Sequence, residues 1–261
     1  ENKTYIMGIL NVTPDSFSDG GKFNNIDAAL KHTEQMIKDG ADIIDVGGES
    51  TRPNYTKISD EEEIGRVTPV IEAIKKNFDI PVSIDTYKSA VGEAAIKSGA
   101  DLMNDIWGFK YDEKMAEITA KYNKTCCLMH NRKEAVYNNF IEDVLADLKE
   151  SVDIALKAGV KKENIMLDPG VGFAKSYEQN LEITNKLEML NTLGYPVLLG
   201  TSRKSMIGLT LDLPADQRVE GTLATTVLAV IKNAMFVRVH DVLENKRIIK
   251  TAYDEHTYSS R

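Results

Sequence analysis

The chain has 261 residues, 42% hydrophobic and 28% charged, which gives it enough apolar content for a sizeable core and excludes a disordered chain. Its formal charge of −8, with no basic run beyond pairs such as Lys75 and Lys76, argues against nucleic acid as a partner. No stretch approaches the ~20 unbroken apolar residues that a membrane span needs, so no membrane association is expected. The opening, ENKTYIMGIL, is too short and turns polar too quickly to read as a signal peptide, and its start at Glu1 instead of methionine leaves trimming or processing open. Two cysteines, Cys126 and Cys127, are adjacent and cannot staple distant segments. They read as packing in a reducing, cytoplasmic protein.

Short β-branched runs alternate with longer stretches of helical period along the whole chain, and no linker divides them. One domain over 1–261 is expected. Strands are predicted at 5–10, 42–46, 81–84, 101–103, 125–129, 165–167, 197–199 and 236–239. The first helix shows one apolar face (Ile26, Ala29, Leu30, Thr33, Met36, Ile37) and should stop at Gly40. Ser59 and Glu62 predict a capping box before the next helix, which Pro69 is expected to kink. Ile141, Val144, Leu145, Leu148, Val152 and Ala155 repeat the stripe up to Gly159, and a last helix begins near Val242. Eight strand–helix units in a chain of 261 residues predict an α/β fold, a closed (β/α)8 TIM barrel, with an open doubly wound sheet as the alternative.

Barrel enzymes carry their chemistry at the carboxyl ends of the strands. Here each run is followed by a polar residue or a glycine-rich turn: Asn11, Gly47 to Arg52, Asp85, Asn104 and Asp105, His130 and Asn131, Asp168, Thr201 to Ser205, then Arg238 and His240. Taken singly, each reads as a solvated strand end or a helix cap, and Asp105 and Asn131 are left there. Together they ring one mouth. Arg52, Arg203, Arg238, Lys204 and His240 suggest a cationic pocket for an anionic substrate. Asp85, Asn104 and Asp168 suit a heterocycle edge bearing N–H donors. Arg203 reads equally well as a bridge to acids on a neighbouring helix, and His130 as a hydrogen-bonded structural histidine. Phosphate-loop, dinucleotide and H-E-x-x-H motifs are absent, and the histidines form no zinc pattern.

The segment NVTPDSFSDGG at 11–21 is long for a strand–helix loop and resembles the first signature of the dihydropteroate synthase family. DIIDVGGESTRP at 42–53 resembles the second. DPGVGF at 168–173, TSRKS at 201–205 and RVHD at 238–241 are similar to further family blocks in the same order. The resemblance spans essentially the whole chain. It implies a homodimeric barrel enzyme of folate biosynthesis, a transferase and sulfonamide target. Such an enzyme joins 4-aminobenzoate to dihydropterin-methyl diphosphate with Mg2+ and releases pyrophosphate.

Residue by residue, the resemblance implies that Asn11 holds the metal near the diphosphate. Asp85, Asn104, Asp168 and Lys204 fall at pterin-binding positions, with Ile106 and Met129 as apolar walls. Arg52, Arg238 and His240 fall at diphosphate contacts. Phe17, Thr51, Arg52, Pro53, Phe173 and Ser205 surround the aminobenzoate. Asp19, Asp85, Lys204 and Arg238 are the catalytic candidates, with Asp19 brought toward the metal as its loop closes. Alone, Ile106, Met129, Phe17 and Phe173 would read as packing. Asn54 departs from the glycine that often follows Thr-Arg-Pro, a change that bears on loop stiffness. The implied route is dissociative loss of diphosphate, then attack by an amine that needs no strong base, in keeping with the lack of a nucleophile–base motif. The alternatives are a folate-dependent methyltransferase domain, an aldolase using Lys204 as a Schiff-base nucleophile, and a non-catalytic pterin-binding protein.

Overall fold

In the computed structural model, which describes residues 3–13, 22–50 and 56–258, the β-branched runs form eight parallel strands among the described residues. These are β1 (Tyr5–Asn11), β2 (Ile43–Gly47), β3 (Val82–Asp85), β4 (Leu102–Asp105), β5 (Thr125–Met129), β6 (Ile165–Asp168), β7 (Leu198–Leu199) and β8 (Phe236–Val239). Their hydrogen-bonded order is β6-β5-β4-β3-β2-β1-β8-β7, and a parallel bridge from Leu167 to Val197 joins the two outer strands. The sheet therefore closes on itself, and the open doubly wound alternative is set aside.

The helices are α1 (Lys22–Asp39), α2 (Asp60–Asn77), α3 (Ser89–Lys97), α4 (Lys114–Lys121), α5 (Phe140–Ala158), α6 (Tyr177–Asn185), α7 (Ser205–Leu211), α8 (Val219–Ile231) and α9 (Val242–Tyr258). One device ends several of them. At Gly40, Gly99, Asn123, Gly159 and Asn233 the backbone enters the left-handed region, which glycine and asparagine tolerate best. The next N–H then reaches back to the last turn: Ala41 to the Met36 carbonyl, Ala100 to Ala95, Lys124 to Thr119, Val160 to Ala155 and Ala234 to Ala229. Each helix is thereby turned into the strand that follows.

One expectation about α2 is modified. Ser59 Oγ accepts from the Glu62 N–H at 3.1 Å, but the Glu62 carboxylate turns to Arg66 at 2.5 Å, so only half of the expected capping box forms. The reciprocal box occurs instead at the start of α6, between Ser176 and Gln179. Pro69 lies within α2 without ending it.

The strands alternate faces with period two. Ile6, Leu10, Ile44, Val46, Val82, Ile84, Met103, Leu128, Leu167, Leu199 and Val237 point outward into the layer shared with the helices. Met7, Ile43, Leu102, Cys127, Met166 and Leu198, with Phe236 against them, point inward and fill the barrel as a separate apolar plug. Burying side chains of this size stabilises the fold by ~1.5–3 kcal/mol each.

Candidate active site

Two residues beyond the plug, the same inward-facing positions become polar: Asp45 on β2, Asn104 on β4, Asp168 on β6 and Arg238 on β8. Register places Asp85 of β3 beside Asn104 and opposite Gly47. This polar tier is wired together. Arg238 donates through Nε to Asp45 Oδ2 at 2.6 Å and through a terminal nitrogen to Asp85 Oδ2 at 2.8 Å. Asn104 Nδ2 donates to Asp45 Oδ2 at 3.2 Å. Burial works against the Arg238 charge, but Asp45 and Asp85 outweigh it and hold its pKa above the ordinary arginine range. Burial pushes the Asp85 carboxyl up to about 7, with Arg238 opposing and Asp45 adding to the rise. Removing one partner from such a buried cluster typically costs about 3–5 kcal/mol, because the other charge is left uncompensated.

A second group lies at the ends of β6 and β7. Asp168 Oδ1 accepts from the Gly170 N–H at 2.7 Å. Burial raises its pKa, opposed chiefly by Lys204. Lys204 Nζ donates to the Val171 carbonyl and lies 4.8 Å from the centre of the Phe173 ring. Burial lowers its pKa to about 8, with Asp168 opposing. Beside these groups is a small apolar cluster of buried Tyr87, Ile106 and Met129, with Trp107 and Phe173 packed against it. Anionic, cationic and flat apolar surfaces thus meet within one mouth. Asn11 is exposed at the end of β1, and a Cβ placed on Gly47 would lie 3.7 Å from its Oδ1 and 3.6 Å from Asp85 Oδ2. Ser205, at the start of α7, is exposed.

A family model described as pterin binding enzyme matches residues 7–240. A dihydropteroate synthase of Clostridium beijerinckii is 68% identical over 249 residues, covering 95% of this chain and 93% of the relative. The chain belongs to the dihydropteroate synthase branch of the pterin-binding enzymes. The dihydropteroate synthase of Clostridium difficile, solved in the presence of pteroic acid, superposes with a TM-score of 0.95 at 51% identity, covering 97% of this chain and 96% of that one. The Xanthomonas albilineans dihydropteroate synthase, solved with 4-aminobenzoic acid, gives 0.93 at 38% identity, covering 98% and 94%.

In this pterin-binding enzyme, the expected residues that the structure describes converge as the ring reading required. Asn11, Asp85, Asn104, Asp168, Lys204 and Arg238 end their strands on one side of the barrel or follow them directly. His240 lies there too, its Nδ1 2.8 Å from Ser202 Oγ. Phe17, Asp19, Thr51, Arg52, Pro53 and Asn54 lie outside the described residues. Within the expected cationic pocket, the described Arg203, Arg238 and Lys204 each have an acid acting on them. Arg203 makes a two-point pair with Asp241, at 3.1 and 2.6 Å, which supports its bridging role. Arg238 is shared by Asp45 and Asp85, and Lys204 is opposed by Asp168. The physical reason is burial: a cation withdrawn from water needs counter-charge close by.

The residues read as caps or packing are hydrogen-bonded or buried. Asp105 accepts from the Trp107 and Phe109 N–H groups, and burial pushes it up to about 7. His130 is buried, with Nε2 2.9 Å from Asp147 and Nδ1 2.8 Å from Lys175 Nζ. Cys126 and Cys127 are buried, and burial pushes both thiols up.

Sequence reasoning missed Asp45, although a lone acid inside the apolar run DIIDV was a usable signal. It also missed a buried network around Lys88. The Lys88 ammonium contacts Glu49, Glu63 and the Ile58 carbonyl, each at 2.8 Å, and Tyr87 donates to Glu49 at 2.5 Å. These residues are scattered in sequence, and single acids or lysines on helices look solvent-facing. Only the fold brings them together.

Proposed function

We propose that this chain condenses 4-aminobenzoate with (7,8-dihydropterin-6-yl)methyl diphosphate, giving 7,8-dihydropteroate and pyrophosphate, as a step of folate biosynthesis. The observation that carries this reading is the placement of Asp168 beside Met129 across β5 and β6, and of Lys204 4.8 Å from the Phe173 ring centre, at the apolar wall of Tyr87, Ile106 and Met129. A pterin presents a flat face and an edge of amino and ring N–H donors. Asp168 and Asn104 supply acceptors for that edge, and the wall supplies the stacking surface.

The bond that breaks joins the methylene carbon to a diphosphate oxygen, and its electron pair leaves with pyrophosphate. Arg238, fixed in orientation by Asp45 and Asp85, offers preorganised positive charge where the leaving oxygens gain negative charge. His240, oriented by Ser202, supports the same group. The cationic methylene carbon is delocalised into the pterin, and the carboxylates Asp85 and Asp168 face that charge. The neutral aromatic amine then attacks the carbon and sheds its proton without a dedicated base. Phe173 and Ser205 contribute to the aminobenzoate surroundings, together with Phe17, Thr51, Arg52 and Pro53.

Mg2+ suits the donors present. Asn11 offers a hard amide oxygen at the mouth, and no group of three or more His, Cys, Asp or Glu side chains among the described residues could hold a metal by itself. Asn11 would hold a cation that keeps several waters and takes further oxygens from the diphosphate, with Asp19 as a further candidate. When bound, Mg2+ supplies charge neutralisation on the diphosphate.

The reading extends to a cytoplasmic homodimer. No helix among the described residues is long and apolar enough to cross a membrane. Exposed Leu209 and Leu211 on α7 and Ile231 on α8 offer apolar surface for a second copy, and a monomer in light scattering would overturn that part. Incubation with both substrates and Mg2+ should yield 7,8-dihydropteroate by chromatography. Its absence with folded protein would remove the proposed reaction.

A further inference from the structure

The turn after β6, residues 169–175, follows Asp168, carries Phe173 and contains two glycines; Val171 packs into the core, while Phe173 is only partly buried. Its backbone is held by further contacts. Gly170 approaches the end of β5 so closely that a Cβ there would lie 1.9 Å from the His130 carbonyl oxygen. Its N–H goes to Asp168 Oδ1 at 2.7 Å, and its carbonyl accepts from Phe173 N–H at 3.1 Å. The Lys175 ammonium then closes the turn from behind. It donates to the Gly170 carbonyl at 2.9 Å, the Phe173 carbonyl at 3.0 Å and His130 Nδ1 at 2.8 Å. Burial lowers the Lys175 pKa to about 7, with Asp168 opposing; in the charged form its three protons match the three acceptors.

His130 is itself oriented. Burial, and after it the Lys175 charge, lowers its pKa to about 3, so the ring is neutral and Nδ1 can accept. The remaining ring proton then sits on Nε2 and donates to Asp147 Oδ2 at 2.9 Å. Arg132 Nε also donates to that oxygen, at 2.6 Å. The chain therefore runs from α5 through Asp147, His130 and Lys175 into the turn.

We propose that Lys175, oriented by the His130–Asp147 pair, is a positioning residue that fixes the Asp168 carboxylate and the Phe173 ring for the two substrates. It touches neither reacting atom and acts only through Gly170 and Phe173. The inference rests on the proposed reaction, which assigns those two residues to the pterin and the aminobenzoate.

The test compares wild type with Lys175→Met, which keeps the length of the side chain and removes its donors. Pyrophosphate release is measured while each substrate is varied, and calorimetric affinity for the pterin diphosphate is measured in parallel. A merely structural role would reduce the folded fraction, and hence kcat, while leaving KM unchanged. A positioning role raises KM for both substrates about tenfold and weakens pterin binding similarly, with kcat within about threefold. Unchanged KM and affinity would overturn the proposal. If Lys175→Met does not fold, His130→Gln serves under the same criterion: KM up about threefold supports it and an unchanged KM overturns it. Wild type that binds the pterin diphosphate but releases no pyrophosphate would sink the reaction alone, and the calorimetric comparison would still judge Lys175. Wild type that binds neither substrate would overturn both.

Discussion

Asp168 has its two carboxylate oxygens in different settings. Oδ1 is tied to the Gly170 N–H, while Oδ2 lies near Gly200 on the mouth side. Asp168→Asn can keep the backbone contact but loses a charged acceptor for the pterin edge, worth ~1.5–3 kcal/mol. Calorimetry should show pterin affinity falling roughly 10- to 150-fold. Neighbouring Arg203 and Lys204 separate cleanly. Lys204→Ala should impair both pterin affinity and turnover, whereas Arg203→Ala removes a partly exposed ion pair with Asp241 worth ~1 kcal/mol at most. Its melting temperature should drop slightly with kcat/KM within about twofold of wild type. Equal kinetic damage from both would show that the division is wrong. His130 gives a pH signature. Its folded pKa, about 3, lies below the ordinary histidine value of 6.5, so its stabilising contribution is present above 6.5 and is lost as pH falls toward 3. The stability advantage of wild type over His130→Gln should therefore shrink by about 2 kcal/mol between pH 7 and pH 5 in denaturant titrations. A constant gap would mean that His130 titrates normally. At this scale the strand-end acids and cations were legible because polar residues interrupt apolar runs. Lys175 was not, since its His130 partner is distant in sequence.

Helix ends were the most legible elements. Gly40 and Gly159 stop α1 and α5 where the apolar stripe ends, because the chain must turn left-handed there. Helix α8 was obscure for an equally physical reason. Its buried positions include Thr222, Thr225 and Thr226, which bond to the Arg203 N–H, Thr201 Oγ1 and Asn245 Oδ1 respectively. A polar face buried against polar partners looks like a solvent face in the sequence. Two glycines with positive φ test how element geometry reaches the site. At Gly159, φ is 99° and a Cβ would meet only Ala120 at 3.8 Å, so Gly159→Ala should cost ~1–2 kcal/mol of stability without kinetic change. At Gly170 a Cβ would collide with the His130 carbonyl at 1.9 Å. Gly170→Ala should lose ~3 kcal/mol or more and most pterin affinity, measured by thermal melting and calorimetry. Similar behaviour of the two variants would mean that the turn after β6 is not tightly held.

Across the whole molecule, one alternation along the strands produces both stability and chemistry. Outward residues meet the helices, inward residues below form the apolar plug, and the next inward residues form the polar tier. The barrel was legible because its strands and helices recur at regular spacing. The compensation of charge inside the mouth was not, because pairing across β2, β3 and β8 depends on barrel closure. That arrangement explains how an acidic chain of net charge −8 can hold fixed cations at one end without exposing them as a basic surface. The central claim is that this mouth couples departure of diphosphate to attack by an aromatic amine. The most direct measurement is pyrophosphate release from the purified chain with Mg2+ and the pterin diphosphate, before and after 4-aminobenzoate is added. Release that follows aminobenzoate addition, with dihydropteroate formed in equal amount, is the predicted result. Tight binding of the pterin diphosphate with no aminobenzoate-dependent release would contradict the account and leave a binding protein in place of an enzyme.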